Sequence, residues 1–211
     1  MPHSLTSKCA AELIGTFVLV LTIGCSVIGG VAMAPLAIGA ALMVMVYANG
    51  HISGAHFNPA VTLALCIRGR CSSREFIPYI IAQVAGALLA TLAVKALVGS
   101  PAQAASALTV KKALLAEFLF TFALAYVVLN VATAKATSGN SFYGLAIGMT
   151  VMAGAFTVGS ISGGAFNPAV ALAATVMGLA PTDSLWIYLA ANFGGGAMAA
   201  FAFKFINPED K

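Results

Sequence analysis

The chain has 211 residues, of which 61% are hydrophobic and only 8% are charged. A soluble domain of this size carries about 25% charged residues, so the composition excludes a soluble globular protein and indicates a surface that faces membrane lipid. The net charge of +4 does not indicate a nucleic-acid partner, because the Lys and Arg residues lie at the ends of hydrophobic runs, as in membrane-protein loops.

Six hydrophobic runs have about the length that a helix needs to cross a bilayer. They predict spans at 9–30, 35–50, 76–98, 112–133, 142–158 and 184–206. The first run is too long for the core of a signal peptide, and we expect it to be retained as a span. Two shorter helical segments, Asn58 to about Arg68 and Asn167 to about Met177, are too short to cross and predict half-helices.

The sequence contains an internal repeat. An offset of 109 residues aligns Asn58 with Asn167 and Gly39 with Gly148, and a slightly smaller offset aligns Glu12 with Glu117. Each copy has three spans, and this odd number requires that the second copy enters the membrane in the opposite orientation. We therefore predict an all-α membrane protein with six transmembrane helices and two re-entrant half-helices in an inverted repeat.

The predicted domain organisation is one transmembrane channel domain over 1–211, with repeats at about 8–98 and 111–206. Cationic loops favour the cytoplasmic side, and an N-terminus inside gives seven cationic residues there against three outside. The seven are Lys8, Arg68, Arg70, Arg74, Lys135, Lys204 and Lys211, and the three are Lys95, Lys111 and Lys112. We expect both termini in the cytoplasm, in the plasma membrane or in an intracellular, vacuole-like membrane.

Each half-helix begins with the same three residues. They are Asn58, Pro59 and Ala60 in the first repeat and Asn167, Pro168 and Ala169 in the second. Asn caps a helix N-terminus, and Pro suits the first helical position because it has no N–H. Non-helical backbone is tolerated at membrane depth where it lines a watery cavity, so we expect the two helix starts to meet at the centre of a pore.

Such a meeting point has defined electrostatics. Each helix N-terminus carries about half a positive charge, which repels cations, while the asparagine amides donate hydrogen bonds to a neutral solute. The short stretches before the asparagines are expected to be extended and to line the path. Their residues are Gly54, Ala55, His56, Phe57, Ser162, Gly163, Ala165 and Phe166.

Several further polar residues lie within the spans. Glu12 and Glu117 could form a proton relay, but their symmetric placement favours a structural role, in which each accepts hydrogen bonds from loop N–H groups. Gln83 and Asn192 are predicted to support the loops as well. For His56, loop bracing or pore lining is favoured over a pH gate. Tyr188 at the start of a span is expected to anchor the membrane interface.

The segment Gly50–Thr62, which reads Gly-His-Ile-Ser-Gly-Ala-His-Phe-Asn-Pro-Ala-Val-Thr, closely resembles the first signature of the aquaporin (major intrinsic protein) family. The resemblance extends over nearly the whole chain. It implies a homotetramer with one pore per subunit for water or small neutral solutes, and it implies neither a cofactor nor a metal.

The resemblance also identifies an outer selectivity filter at Ile38, Ala155, Gly164 and Val170. Most family members have Arg at the position of Val170, and water-selective members have Phe and His at two of the others. Val offers none of the five donors of Arg. Either larger solutes such as glycerol, urea, ammonia or hydrogen peroxide pass, or an apolar ring excludes water. Ala171, where glycerol-selective relatives have Asp, weakens a dedicated glycerol function.

Three functions remain open at this point. The leading hypothesis is a passive channel for water and small uncharged solutes that excludes ions and protons. A second is a facilitator mainly for glycerol, urea, ammonia or hydrogen peroxide, and a third is a structural membrane protein with a closed pore. An enzyme is disfavoured, because the sequence offers no nucleophile–base pair, metal cluster or phosphate-binding loop.

Overall fold

The structure, a computed structural model, describes residues 3–103 and 105–210; Lys211, which the orientation prediction includes, lies outside them. Within these ranges all regular structure is helical. The α-helices are α1 Leu5–Ile28, α2 Ala34–Ser53, α3 Pro59–Arg68, α4 Ser73–Val98, α5 Val110–Thr133, α6 Tyr143–Ser162, α7 Pro168–Met177 and α8 Leu185–Ile206. Short 3-10 turns at Lys135–Thr137 and Thr182–Ser184 complete the helical segments.

Six of the helices are long and apolar enough to cross a membrane, and α3 and α7 are not. The short helices have 10 residues each, which at 1.5 Å per residue gives about 15 Å, half of a bilayer core. The all-helical prediction is confirmed, but several predicted bounds are wrong by up to four residues; α1 begins at Leu5 rather than at 9, and α4 at Ser73 rather than at 76. α2 and α6 continue beyond 50 and 158 to Ser53 and Ser162, because buried packing overrides the low helix propensity of Gly and Ser.

The two repeats use the same helix packing. α1 packs along α4 in the first repeat, and α5 packs along α8 in the second. Glycine permits both contacts: a Cβ on Gly86 would collide with the Leu13 carbonyl, and one on Gly195 would lie 2.6 Å from the Phe118 carbonyl. Small residues thus bring these backbones into direct contact, as is common between membrane helices.

The repeats are joined at their centre. α2 crosses α6 where Gly39 and Gly148 face each other's backbone carbonyls. Each half-helix packs on a long helix of the other repeat, α3 on α8 and α7 on α4. This exchange holds the N-terminal ends of α3 and α7 next to each other in the interior.

One end of the bundle carries the start of α1, the turn at 69–72, and the end of α8; we call it the terminus face. Lys8 on α1 forms a 2.6 Å ion pair with Glu75 on α4. After α8, Asp210 pairs with Arg68 at 2.6 Å and accepts a hydrogen bond from the Lys135 backbone N–H at 2.7 Å. That N–H, followed by the Arg68 guanidinium, holds the pKa of Asp210 below its ordinary value.

The outer surface of the long helices is apolar. Leu92 on α4 and Phe201 on α8 are 67% and 59% exposed, as expected of side chains that face lipid. Trp186 is also exposed, but Tyr188 is only 2% exposed. The expectation that Tyr188 anchors the membrane interface is therefore wrong, because its side chain points into the bundle.

Candidate pore

Each half-helix is capped by its asparagine. The Asn58 side-chain oxygen accepts from the backbone N–H groups of Ala60 at 2.8 Å and Val61 at 3.4 Å. Asn167 does the same for Ala169 and Val170, at 2.9 and 3.4 Å. The cap occupies the oxygen of each amide and turns its nitrogen away from the helix start.

The two asparagines also link the repeats to each other. The Asn58 amide nitrogen donates to the Phe166 carbonyl at 2.9 Å, and the Asn167 nitrogen donates to the Phe57 carbonyl at 2.8 Å. An amide nitrogen carries two hydrogens, so one remains on each asparagine after this bond. Both residues line the same cavity, where the remaining hydrogen is available to a solute.

The loops before the asparagines are turned rather than extended, contrary to the prediction. Gly54 and Gly163 end α2 and α6 with φ of 88° and 89°, in the left-handed region. Phe57 and Phe166 have φ of 50° and 48°, which is rare for side chains of this size. The glycines in these loops predict a flexible backbone, whereas the observed conformation of the two phenylalanines is held by hydrogen bonds to other helices.

Glu12 supplies these bonds to the first loop. Its carboxylate accepts from the backbone N–H groups of His56 at 2.9 Å and Phe57 at 2.7 Å. It also accepts from the Ser53 hydroxyl at 2.6 Å and the Gln83 amide at 2.8 Å. The side chain is fully buried, and four donors are the partners that a buried carboxylate requires.

Glu117 has the same surroundings in the second loop. It accepts from the Ser162 hydroxyl at 2.7 Å and from the N–H groups of Ala165 at 3.0 Å and Phe166 at 2.7 Å. The hydrogen-bond network orients the Asn192 amide so that its nitrogen donates to Glu117 at 3.1 Å. Both carboxylates therefore have equivalent sets of four donors, which favours the loop-bracing interpretation over a proton relay.

Two tyrosines brace the ends of α2 and α6, and sequence analysis missed this role. The Tyr79 hydroxyl donates to the Ser53 carbonyl at 2.8 Å, and the Tyr188 hydroxyl donates to the Ser162 carbonyl at 2.6 Å. The sequence contains a signal for it: Tyr79 and Tyr188 are 109 residues apart, the offset of the internal repeat, which indicates the same structural role in both copies.

The first loop carries an additional polar chain. The Thr62 hydroxyl donates to the Asn58 carbonyl at 2.9 Å and accepts from the Gln83 amide at 3.0 Å. His56 Nδ1 lies 3.1 Å from the same hydroxyl. Because that hydroxyl donates to the Asn58 carbonyl, we assign the imidazole hydrogen to Nδ1, which leaves Nε2 as an acceptor. The ring packs edge-on against Tyr79.

A cavity of about 280 Å³ runs along the two asparagines. All four outer-filter residues line it: Ile38, Ala155, Gly164 and Val170. Among the described residues, its wall contains no Asp, Glu, Lys or Arg side chain. A second cavity of about 880 Å³ lies at the terminus face, and its lining includes Arg70, Lys135 and Asn140.

Most of the predicted loop residues reach these walls. Ala55, His56, Phe57, Gly163 and Ala165 line the smaller cavity, and Gly54 lines the larger one. Two do not, because Ser162 is fully buried against Glu117 and Phe166 packs on Phe120 at 5.4 Å between ring centres. In the described part of the chain, no group of three His, Cys, Asp or Glu residues is arranged to hold a metal.

Comparison with known proteins gives a consistent assignment. The profile of the family described as "Major intrinsic protein" matches residues 2–203. The chain is 39% identical to "Aquaporin NIP1-3" of Oryza sativa subsp. japonica, over 97% of this chain and 75% of that protein. It is 37% identical to "Glycerol uptake facilitator protein-like 6" of Lactiplantibacillus plantarum, over 96% of this chain and 99% of that protein.

The fold has a solved counterpart. The aquaglyceroporin from Plasmodium falciparum superposes with a TM-score of 0.83 over 98% of both chains, at 22% sequence identity. This likeness confirms the predicted aquaporin fold, and the family match favours the channel over the closed-pore and enzyme alternatives. The chain belongs to the major intrinsic protein family and is an integral, multi-pass membrane channel for water and small solutes.

Proposed function

We propose that this protein is a passive channel for water and small uncharged solutes, with an outer filter that is wide and apolar. One observation carries the proposal: the four outer-filter positions and both asparagines lie along one undivided cavity. An Arg at position 170 would put a fixed cation and five donors into that space, whereas Val170 adds only a branched hydrocarbon. The outer filter then excludes neither glycerol-sized solutes by bulk nor cations by charge.

Ion exclusion therefore depends on the centre of the pore. α3 and α7 present their N-terminal ends there, and each contributes about half a positive charge. The cavity wall has no carboxylate that could attract a cation, among the residues described. The two asparagines add hydrogen-bond donors without an ionisable group, and such a lining accepts the oxygen of a neutral solute while it opposes cations and protons.

The names of the similar proteins indicate two kinds of solute, water and glycerol. The relatives include proteins named as aquaporins and one named as a glycerol uptake facilitator. Ala171 gives no carboxylate beside the outer filter, which supports a general neutral-solute channel over a dedicated glycerol facilitator. Urea, ammonia and hydrogen peroxide are smaller than glycerol and are candidates for the same path.

Stopped-flow light scattering on proteoliposomes tests the proposal with one glycerol gradient. Fast shrinkage reports water efflux, and faster re-swelling than in empty vesicles reports glycerol entry. We expect both phases. Fast shrinkage with the re-swelling of empty vesicles would restrict the channel to water, and the absence of both would contradict an open pore.

A single variant tests whether glycerol permeability depends on position 170. Val170→Arg introduces the cation and donors that most family members have at this position. We expect it to slow glycerol re-swelling and to preserve rapid shrinkage. Equal glycerol permeability in the variant and the wild type would show that position 170 does not face the solute path. A pyranine-loaded vesicle assay on the same samples measures proton leak, which we expect to remain at the level of empty vesicles.

We also propose that both termini are cytoplasmic and that the protein forms a homotetramer in lipid. The first proposal is supported by the excess of Lys and Arg at the terminus face, and the second by the resemblance to the aquaporin family, which implies a homotetramer. Protease protection of a C-terminal tag in sealed right-side-out vesicles tests the orientation. Native mass spectrometry from lipid nanodiscs tests the tetramer, and a monomer in that measurement would contradict it.

A further inference from the structure

Two cavities inside the channel meet at one place. The smaller cavity contains the outer filter and both asparagines, and the larger cavity opens at the terminus face. Within the described residues, only His56, Val128 and Ile147 line both cavities; we call these three residues the inner constriction. The division therefore lies on the terminus-face side of the asparagines, and the outer filter does not interrupt the cavity that contains it.

The internal repeat shows that the side chains near the inner constriction are larger than those at the outer filter. The 109-residue offset relates each outer-filter position to a residue near the inner constriction. In the order 38, 155, 164 and 170, these counterparts are Ile147, Val46, Ala55 and Val61. Two of the four are unchanged, and two are larger, with Val for Ala and Ala for Gly. The same backbone frame thus carries more side-chain volume on the inner side than at the outer filter.

His56 adds further bulk, since its counterpart in the second repeat is Ala165. Two contacts hold its ring: Nδ1 lies 3.1 Å from the Thr62 hydroxyl, and the ring packs against Tyr79. The backbone N–H of His56 also binds Glu12, which fixes the base of the side chain. A side chain with these bonds cannot swing aside at low cost. Its Nε2 has no hydrogen-bond donor among the described residues, so it presents an acceptor to the passing solute.

We propose that the inner constriction, rather than the outer filter, sets the largest solute that passes. This inference rests on the proposed function, because it assumes that solutes follow this path. A solute must fit between the Nε2 acceptor of His56 and the branched hydrocarbon of Val128 and Ile147. Small molecules that can donate one hydrogen bond meet this requirement, and selection by size occurs on the terminus-face side of the asparagines.

A matched pair of variants tests the proposal. Ile147 and Ile38 are related by the repeat, and both are buried, with 5% and 8% exposure. Ile147→Ala removes three carbons at the inner constriction, and Ile38→Ala removes the same three at the outer filter. One methylene in an apolar site changes selectivity by about tenfold or more, so we expect Ile147→Ala, which removes three carbons, to raise glycerol permeability by at least about tenfold. Ile38→Ala is expected to give a much smaller gain.

Two further variants complete the experiment. Val128→Ala widens the inner constriction from α5 and carries the test if Ile147→Ala does not assemble. Leu145→Ala removes a lipid-facing side chain of α6 that is 47% exposed, and we expect it to behave as the wild type. Stopped-flow water permeability, measured on the same vesicles, verifies an open pore in each sample.

The outcomes separate the two proposals. A larger glycerol gain for Ile38→Ala than for Ile147→Ala, or no gain for either inner variant, would overturn the inner constriction as the size selector. Wild-type vesicles without water permeability above empty vesicles would instead contradict the proposed function. A tenfold gain confined to the inner variants, with normal wild-type water flux, supports both.

Discussion

The two re-entrant loops have the same skeleton and different side chains at the pore. Each has an asparagine cap, a cross-link to the other loop, a carboxylate with four donors and a tyrosine brace. They differ at several aligned positions. Four of these differences change a polar or charged side chain: His56 and Ala165, Thr62 and Ala171, Arg68 and Met177, and Gln83 and Asn192.

This contrast separates the residues that stabilise the loop backbone from the residues that set the size and polarity of the pore. In the second loop, Asn192 reaches the Asn167 backbone N–H directly, at 3.0 Å. In the first, the longer Gln83 binds Thr62, which in turn binds His56. The caps, the carboxylate bonds and the tyrosine braces are the same in both repeats, whereas the side chains around them make the inner half of the pore bulkier and more polar.

The largest expected effect tests the equivalence of the two carboxylates. Glu12→Gln and Glu117→Gln each replace an acceptor oxygen by an NH₂ group that faces two donors. An unsatisfied buried donor costs about 1–3 kcal/mol, so we expect each variant to lose roughly 2–6 kcal/mol of stability. Thermal unfolding in detergent measures the loss as a lower Tm.

Glu75→Gln is the control for these variants, since Glu75 pairs with Lys8 near the surface and such a pair contributes little. A large Tm loss in only one of the buried variants would break the comparison between the loops. A wild-type proton current above that of empty vesicles, lost in both variants at normal Tm, would instead support the relay hypothesis for Glu12 and Glu117.

The next largest effect concerns the two equivalent helix contacts, α1 with α4 and α5 with α8. Gly86→Ala and Gly195→Ala would each press a methyl group against a backbone carbonyl of the neighbouring helix. Overpacking typically costs about 1–3 kcal/mol, and the two variants should lose similar amounts in thermal unfolding. Gly194→Ala is the control, because its nearest neighbour is the Phe118 ring at an ordinary 3.5 Å. A tolerated Gly195→Ala would contradict the close contact of α5 with α8.

Sequence analysis recovered the parts of this molecule that repeat or that are strongly apolar. Hydropathy predicted the six spans. The two Asn-Pro-Ala segments predicted the half-helices, because Asn is a preferred N-cap residue and Pro is preferred at the first helical position. It placed the ends of α2 and α6 too early, since Gly and Ser give no helical signal there. The positive φ at Phe57 and Phe166 depends on carboxylates from other helices, which no local pattern reveals.

A smaller effect concerns the tyrosine braces. Tyr79→Phe and Tyr188→Phe remove one buried hydroxyl each with no change of shape, and we expect each to lower stability by about 1 kcal/mol. If the braces are equivalent, the two Tm shifts agree and the double variant shows their sum. Tyr47→Phe offers a comparison, because its hydroxyl binds the Ser141 carbonyl at an exposed site and should shift Tm less.

The smallest effect lies where the repeats differ most at the terminus face. Arg68 ends α3 and binds Asp210, whereas its counterpart Met177 ends α7 without a charge. The pKa of Asp210 is below its ordinary value of 3.8, because the Lys135 N–H and Arg68 stabilise its charged form. A lowered pKa in the folded state gives stability that is present above pH 3.8 and is lost as the pH falls through the folded-state pKa.

Asp210→Asn should therefore lower Tm between pH 5 and 8 by a constant amount, and the difference from the wild type should vanish in acid. Arg68 would remain buried without its carboxylate partner, and a buried unpaired cation is costly; the partly exposed site and the remaining contact of Arg68 with the Phe203 ring limit the loss. The double variant Arg68→Met/Asp210→Asn copies the second repeat at this point and should recover part of the Tm. A double variant less stable than Asp210→Asn alone would show that Arg68 stabilises the end of α3 by contacts other than its ion pair, as its stacking on Phe203 allows.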